Sequence, residues 1–203
     1  SEFPARKYVV KAQITAGGRG LAGGVRFAAT PSAVADEARR MLGTTLVTAQ
    51  TGADGEHVAA VSVEEALDLA ASFFVAFVLD PASGQPMLLA SSEGGVEFEQ
   101  RQQMDPDTVK TMILDEDGPA ARDALAGFLA RIGIEGEAPQ DILFAARKAF
   151  VDTDMALLEI NPFARTGGGA WVAIDAKITL DGSALFRHPE FESLTEKQGL
   201  SAT

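Results

Sequence analysis

The stretch TAGGRGLAGG, Thr15 to Gly24, sets five glycines and one arginine directly behind the apolar run YVVKAQI and against a second apolar segment, GVRFAA. Repeated glycines reach positive φ and let backbone N–H groups converge without Cβ obstruction. A strand, glycine loop, strand unit is therefore a flap able to close over an anion. Two other glycine patterns are excluded: a P-loop needs Gly-Lys-Ser/Thr opening a helix, and the dinucleotide fingerprint needs a helix directly behind its glycines. Arg19 adds a charged fork to the loop and Lys11 a second cation on the incoming strand. On residues alone, a mobile hairpin with adventitious charges weighs equally with a phosphate clamp.

Charge narrows the ligands. The net charge of -12, from 17 basic and 29 acidic residues, opposes a general nucleic-acid or anionic-membrane surface. Yet residues 1–26 carry Arg6, Lys7, Lys11, Arg19 and Arg26 against Glu2 alone, so the glycine loop sits in a basic island. No apolar run approaches the roughly 18 residues of a membrane span, no secretory signal pattern is present, and there is no cysteine. A cytoplasmic location is the expectation.

Clusters of apolar and β-branched residues predict strands over 7–14, 45–50, 57–64, 72–79, 86–91, 155–162 and 170–179. Helices are predicted between them. The first is capped by Thr30, with Val34, Ala38, Met41 and Leu42 on one face and a stop at Gly43. Pro106 is expected to open a second, carrying Val109, Met112 and Ile113. Pro119 opens a third, with Leu125, Phe128, Leu129 and Ile132, and Pro139 a fourth, with Ile142, Leu143, Ala146 and Phe150. Three helices would thus run nearly consecutively, in an α+β protein of at least two layers.

The segment LLEINPFARTGGGAWVAIDAKI reads as two strands joined by a glycine-rich turn. With period 2, Glu159 and Asn161 share one face and Leu158 and Ile160 the other; Asp175, Lys177 and Thr179 alternate with Ile174 and Ile178. A hairpin centred near residue 168 sets Asn161 opposite Asp175, with Cβ atoms about 5 Å apart. Such oxygen-bearing side chains suit a hard cation such as Mg²⁺ that keeps waters and phosphate oxygens as its other ligands. A solvated hairpin face is the plainer reading of the same alternation. SSEGGVEFE, Ser91 to Glu99, reads as a turn followed by an amphipathic strand.

Taken in order, YVVKAQITAGGRGLAGGV, LGTTLVTAQTG, SSEGGVEFE, LLEINPF and AIDAKITLDGSALFR resemble the ATP-grasp domain of the succinyl-CoA synthetase beta chain and related acyl-CoA ligases, over roughly residues 7–187. The resemblance implies an ATP-grasp fold, two α+β lobes with the nucleotide between them. It implies nucleotide contacts from Lys11, Gly18, Arg19, Gly20 and Glu64, magnesium ligands in Asn161 and Asp175, and Glu159 nearby. It implies Mg²⁺ with ATP or GTP, and reversible transfer of phosphate to a histidine, then to a carboxylate that CoA captures. That histidine belongs to the alpha chain in the family, so an alpha partner is implied; His57 and His188 match no phosphoacceptor segment.

Departures are equally plain. The family loop usually reads His-Ala-Gly-Gly-Arg-Gly-Lys, where this chain has Thr15 and Leu21 at the outer positions. Leu67 and Ser72 stand where a threonine and a glutamate are usual, and Asp80-Pro81 replaces an Asp-Arg. They keep a second expectation open, a divergent module without turnover that serves assembly or regulation. Residues 1–189 are expected to form an ATP-grasp domain lacking the family's opening segment, and 190–203 a polar tail toward an absent CoA-ligase domain. The first strand starts close to Ser1, so a fragment of a longer protein is expected, inactive alone and open to self-association.

Overall fold

The structure is a computed structural model, and it describes residues 7–96, 98, 105–114 and 118–191. Two sheets carry the fold. In the smaller, β1 (Tyr8–Gln13) lies between β2 (Val25–Ala28) and β5 (Ala60–Glu65), antiparallel to both, so the glycine loop is the β1–β2 hairpin connection. Helix α1 (Pro31–Met41) covers one face of that sheet. Its start is the expected one: the Thr30 hydroxyl accepts the Ala33 N–H at 3.2 Å, and Pro31 needs no donor partner in the first turn. Val34, Ala38 and Met41 pack with Val10, Ala12 and Val58, whereas Leu42 falls beyond the helix end and is exposed. A short hairpin of β3 (Thr45–Leu46) and β4 (Glu56–His57) stands beside the loop.

The larger sheet is built on β6 (Leu69–Leu79), an eleven-residue strand flanked by β7 (Pro86–Ser91) and β9 (Met155–Thr166). β8 (Lys110–Ile113) closes one edge, and β10 (Trp171–Ala173) and β11 (Ala176–Leu180) both pair with β9. Alternation along β6 sends Phe73, Val75 and Phe77 under α2 (Pro119–Ala130) and α3 (Glu137–Asp152), where Leu125, Phe128, Leu129, Leu143 and Phe150 meet them. Phe74 and Ala76 turn to the opposite face, where Phe98 stacks on Phe74 at 4.0 Å.

Several expectations are corrected. Pro106 opens only a 3₁₀ turn, Pro106–Thr108, and the following residues form β8 against β7. Lys110-Thr111-Met112-Ile113 can alternate as well as wind, and the free edge of β7 decides, because pairing there satisfies a row of backbone groups. Among the described residues, two long helices therefore run in succession where three were expected. The 45–50 strand ends at Leu46, since Thr48–Thr51 form a hydroxyl-bonded turn. The 57–64 and 170–179 strands are each interrupted. Val96 and Phe98 are helical, not extended. The residues expected in a tail lie outside the described ones beyond Phe191, and Pro189–Phe191 form a 3₁₀ turn.

Candidate functional site

Lys11 lies mid-strand on β1, on the face turned away from α1: its neighbours Val10 and Ala12 enter the small core, so period 2 sends Lys11 the other way. It is 4% exposed, and its Nζ donates to Glu64 Oε2 at 2.6 Å and to the Ile174 carbonyl at 2.7 Å. Glu64 comes from β5, two residues beyond Ser62, the cross-strand partner of Lys11, and its other oxygen accepts the Ser62 hydroxyl at 3.0 Å. Ile174 belongs to the β10–β11 connection of the larger lobe. A buried ammonium thus spans the cleft between the lobes.

The glycine loop makes a second crossing. Arg19 donates through Nη1 to the Ala12 carbonyl at 2.7 Å and through Nη2 to Asp175 Oδ2 at 2.6 Å. Gly18, at φ +79°, is in the left-handed region that glycine enters without strain, and from it the chain makes one turn closed by Ala22 N–H to the Gly18 carbonyl at 3.2 Å. The first N–H groups of such a turn have no partner within it. Among the described residues, those of Gly18, Arg19, Gly20 and Leu21 meet no protein acceptor.

Asn161 and Asp175 stand opposite one another, as the hairpin centre at residue 168 requires: Asn161 N–H donates to the Asp175 carbonyl at 3.1 Å, within a register that pairs Phe163 with Ala173 and Ile160 with Ala176. Their side chains have different partners. Asn161 Oδ1 accepts the Gly95 N–H at 2.5 Å, while Asp175 is held by Arg19. Glu159 lies across from Lys177 on one side and Ala76 on the other, on the sheet face opposite the helices. Burial pushes its carboxyl above the ordinary range; Lys177 draws it down and Asp175 pushes it further up.

The contacts of three residues, Glu56, Gln50 and Gly95, were not legible beforehand. Glu56 of β4 accepts the Thr15 N–H at 2.6 Å, the Ala16 N–H at 3.1 Å and the Thr15 hydroxyl at 3.0 Å. Gln50 Oε1 accepts both the Gly17 N–H and Lys177 Nζ at 3.0 Å. Gly95 meets Asn161, so SSEGGVEFE touches the site; its paired glycines were the only signal. Leu21 and Leu67 are 44% and 43% exposed. Neither histidine enters the cleft: His57 is exposed on β4, and His188 is held by Asp154 at 2.8 Å.

Among the described residues no group of three or more histidine, cysteine, aspartate or glutamate side chains is placed to hold a metal by itself. The donors on the hairpin are oxygens, from one amide and two carboxylates, the class a hard cation takes when phosphate supplies the rest. Magnesium fits this set only as a partner of a phosphate ligand.

The model of the ATP-grasp domain matches residues 1–165. The succinate–CoA ligase [ADP-forming] subunit beta of Ralstonia pickettii is 43% identical over 187 residues, 90% of this chain and 48% of that protein. That of Bacillus velezensis is 41% identical over 201 residues, 94% of this chain and 51% of that protein. The chain spans about half the length of these curated relatives. Among solved structures, ATP citrate lyase from Methanothrix soehngenii in complex with citrate and coenzyme A superposes at TM-score 0.67, with 20% identity, over 92% of this chain and 42% of that one. The dinucleotide-forming acetyl-coenzyme A synthetase 1 of Ca. Korarchaeum cryptofilum, in complex with coenzyme A and Mg-AMPPCP, superposes at 0.55, with 18% identity, over 85% of this chain and 76% of that one. These structural likenesses speak for the fold alone.

Proposed function

The chain belongs to the ATP-grasp domain family, and from that premise we propose that it grips the nucleotide in an acid–CoA ligase of the succinyl-CoA synthetase type. One observation carries the reading. Two cations, Lys11 and Arg19, meet the carboxylates Glu64 and Asp175 between the lobes, beneath a turn whose first N–H groups are unspent.

In this reading the Gly18-Arg19-Gly20 turn directs its N–H groups at phosphate oxygens, and Lys11 neutralises a further one. Glu64 orients Lys11 and faces the ribose side of the ligand. Arg19, now paired with Asp175, is placed to take a phosphate oxygen instead, and Asp175, Asn161 and Glu159 would then hold magnesium. The metal, when bound, neutralises phosphate charge. Burial holds the Glu159 carboxyl above the ordinary range, and a cation beside it would favour its charged form. These residues position and neutralise, which is most of what phosphoryl transfer asks of a protein. As the family resemblance implies, the phosphate acceptor is a histidine of an alpha partner, where the carboxylate and CoA also react; His57 and His188 both lie outside the cleft.

Calorimetric titration with Mg·ATP and Mg·GTP tests the reading. Wild type binds one nucleotide per chain, and Asp175→Asn and Asn161→Ala each lower magnesium-dependent affinity by about tenfold or more, the scale of a lost charge-assisted contact, without changing the circular dichroism. Unaltered magnesium dependence in both variants counts against the site. With ATP, CoA and dicarboxylic acids, the 203 residues alone are expected to form no acyl-CoA; stoichiometric product would demand a nucleophile within them.

A further inference from the structure

We infer that Glu56, assisted by Gln50, is a positioning residue: from the β3–β4 hairpin it holds the incoming arm of the glycine loop so that the turn at Gly18–Leu21 presents its free N–H groups to phosphate. The inference rests on the nucleotide reading above and adds to it a support outside the residues that touch the ligand.

The loop has two halves with different bonding. In the incoming half, three successive backbone N–H groups are taken by side chains: Thr15 and Ala16 by the two oxygens of Glu56, and Gly17 by Gln50. In the following half, Gly18 to Leu21, none is taken among the described residues. The change falls at Gly18, where the backbone crosses to positive φ and redirects its N–H groups. Glu56 and Gln50 therefore consume the donors of Thr15 to Gly17, while those of Gly18 to Leu21 stay available to a ligand.

The brace is itself rigid. Thr48 is 8% exposed, and its hydroxyl accepts the N–H groups of Gln50 and Thr51 at 3.1 and 3.2 Å, while Thr51 Oγ1 accepts the Thr48 N–H at 2.9 Å. That turn fixes the Gln50 backbone. Its side-chain oxygen then receives Gly17 from the loop and Lys177 from the strand that follows Asp175, joining flap and hairpin through one atom. A ring of methylenes or a methyl group could fill the same space, but only an acceptor can orient N–H groups. A glycine-rich loop ordered before its ligand arrives loses less entropy on binding, so the brace acts on affinity through the loop and not through contact with the nucleotide.

The test uses the full 203-residue chain, with Glu56→Ala, Glu56→Gln and Gln50→Ala. Hydrogen exchange reads the Thr15–Gly17 amides, and calorimetry reads Mg·ATP and, separately, magnesium tripolyphosphate. Glu56→Ala is expected to speed exchange of the Thr15 and Ala16 amides by about tenfold or more and to weaken both ligands by about tenfold, the scale of a lost charged acceptor. Equal loss for the two ligands places the effect at the phosphates. Glu56→Gln keeps one acceptor oxygen and lands between wild type and Glu56→Ala, which a merely space-filling role would not produce. Unchanged amide exchange in Glu56→Ala overturns the inference, as does a looser loop with unaltered affinity, or a gain in affinity, which would make Glu56 a competitor of phosphate. Should wild type bind neither ligand, the nucleotide reading fails, and with it the positioning role, even where amide exchange shows the brace intact.

Discussion

Leu21 stands on the unspent side of the glycine turn with 44% of its surface exposed, where relatives of the resembled family usually carry a lysine. A cation there would meet the phosphates. Leu21→Lys is expected to tighten Mg·ATP by about tenfold, the low end of the roughly 1.5 to 3 kcal/mol for a charged contact, because the site is open to solvent; calorimetry reads the change, and no gain would place the side chain away from the ligand. Glu56 supplies a different signature. Burial alone would raise its carboxyl, but the N–H groups of Thr15 and Ala16 and the Thr15 hydroxyl outweigh that and hold it below the ordinary value. A carboxylate depressed in the folded state contributes stability above its unfolded value and loses it as pH falls through the folded one. Acid melts of Glu56→Gln should therefore show a shallower loss of stability below the ordinary glutamate range than wild type. Lys11, Arg19, Asn161 and Asp175 were legible in the sequence because a polar residue on an otherwise apolar strand, or an arginine among glycines, is conspicuous. Gln50 and Glu56 were not: their partners are backbone N–H groups, and a main chain leaves no trace in residue spelling.

At the scale of elements, β1, β6, β7 and β9 and the helices from Pro31 and Pro119 stand where alternation and capping place them. β8 does not. A four-residue segment has too few residues to separate period 2 from period 3.6, so its state is set by the bare edge of β7, which no local pattern encodes. Close approach is equally invisible. A Cβ on Gly94 would lie 2.7 Å from the backbone nitrogen of Phe73 and nearer still to its carbonyl, and backbone cannot step aside as a side chain can. Gly94→Ala should cost about 1–3 kcal/mol or more by overpacking, visible as a lowered urea midpoint, and should also pull Gly95 away from Asn161 and so weaken magnesium-dependent binding. Deeper in the same lobe, Phe150 of α3 is 1% exposed and lies 6.1 Å from the Phe77 ring. Phe150→Ala should lower unfolding free energy by about 3–5 kcal/mol. A loss below 1 kcal/mol in urea melts would mean that α3 is not anchored to β6 there.

Across the whole molecule, charged and polar contacts between described residues join the two lobes: Lys11 to the Ile174 carbonyl, Arg19 to Asp175, and Lys177 to Gln50. The fold class could be read from the order of strands and helices, and the lobes from the resemblance. What could not be read is that the flap already grips the opposite lobe, because that depends on how two side chains 156 positions apart share one pair of atoms. The chain as a whole is strongly acidic, at -12, so a polyphosphate is repelled at a distance and gains its attraction only near the cleft. There the Arg19–Asp175 pair gives the cleft the character of an ion-exchange resin already loaded with its own counterion. In the proposed reading the entering anion would take the guanidinium and its accompanying cation the carboxylate, in one swap between two neutral pairings. Few small ions need be released to or drawn from the solvent in that swap, so added salt should act chiefly by screening the long-range repulsion of the acidic chain.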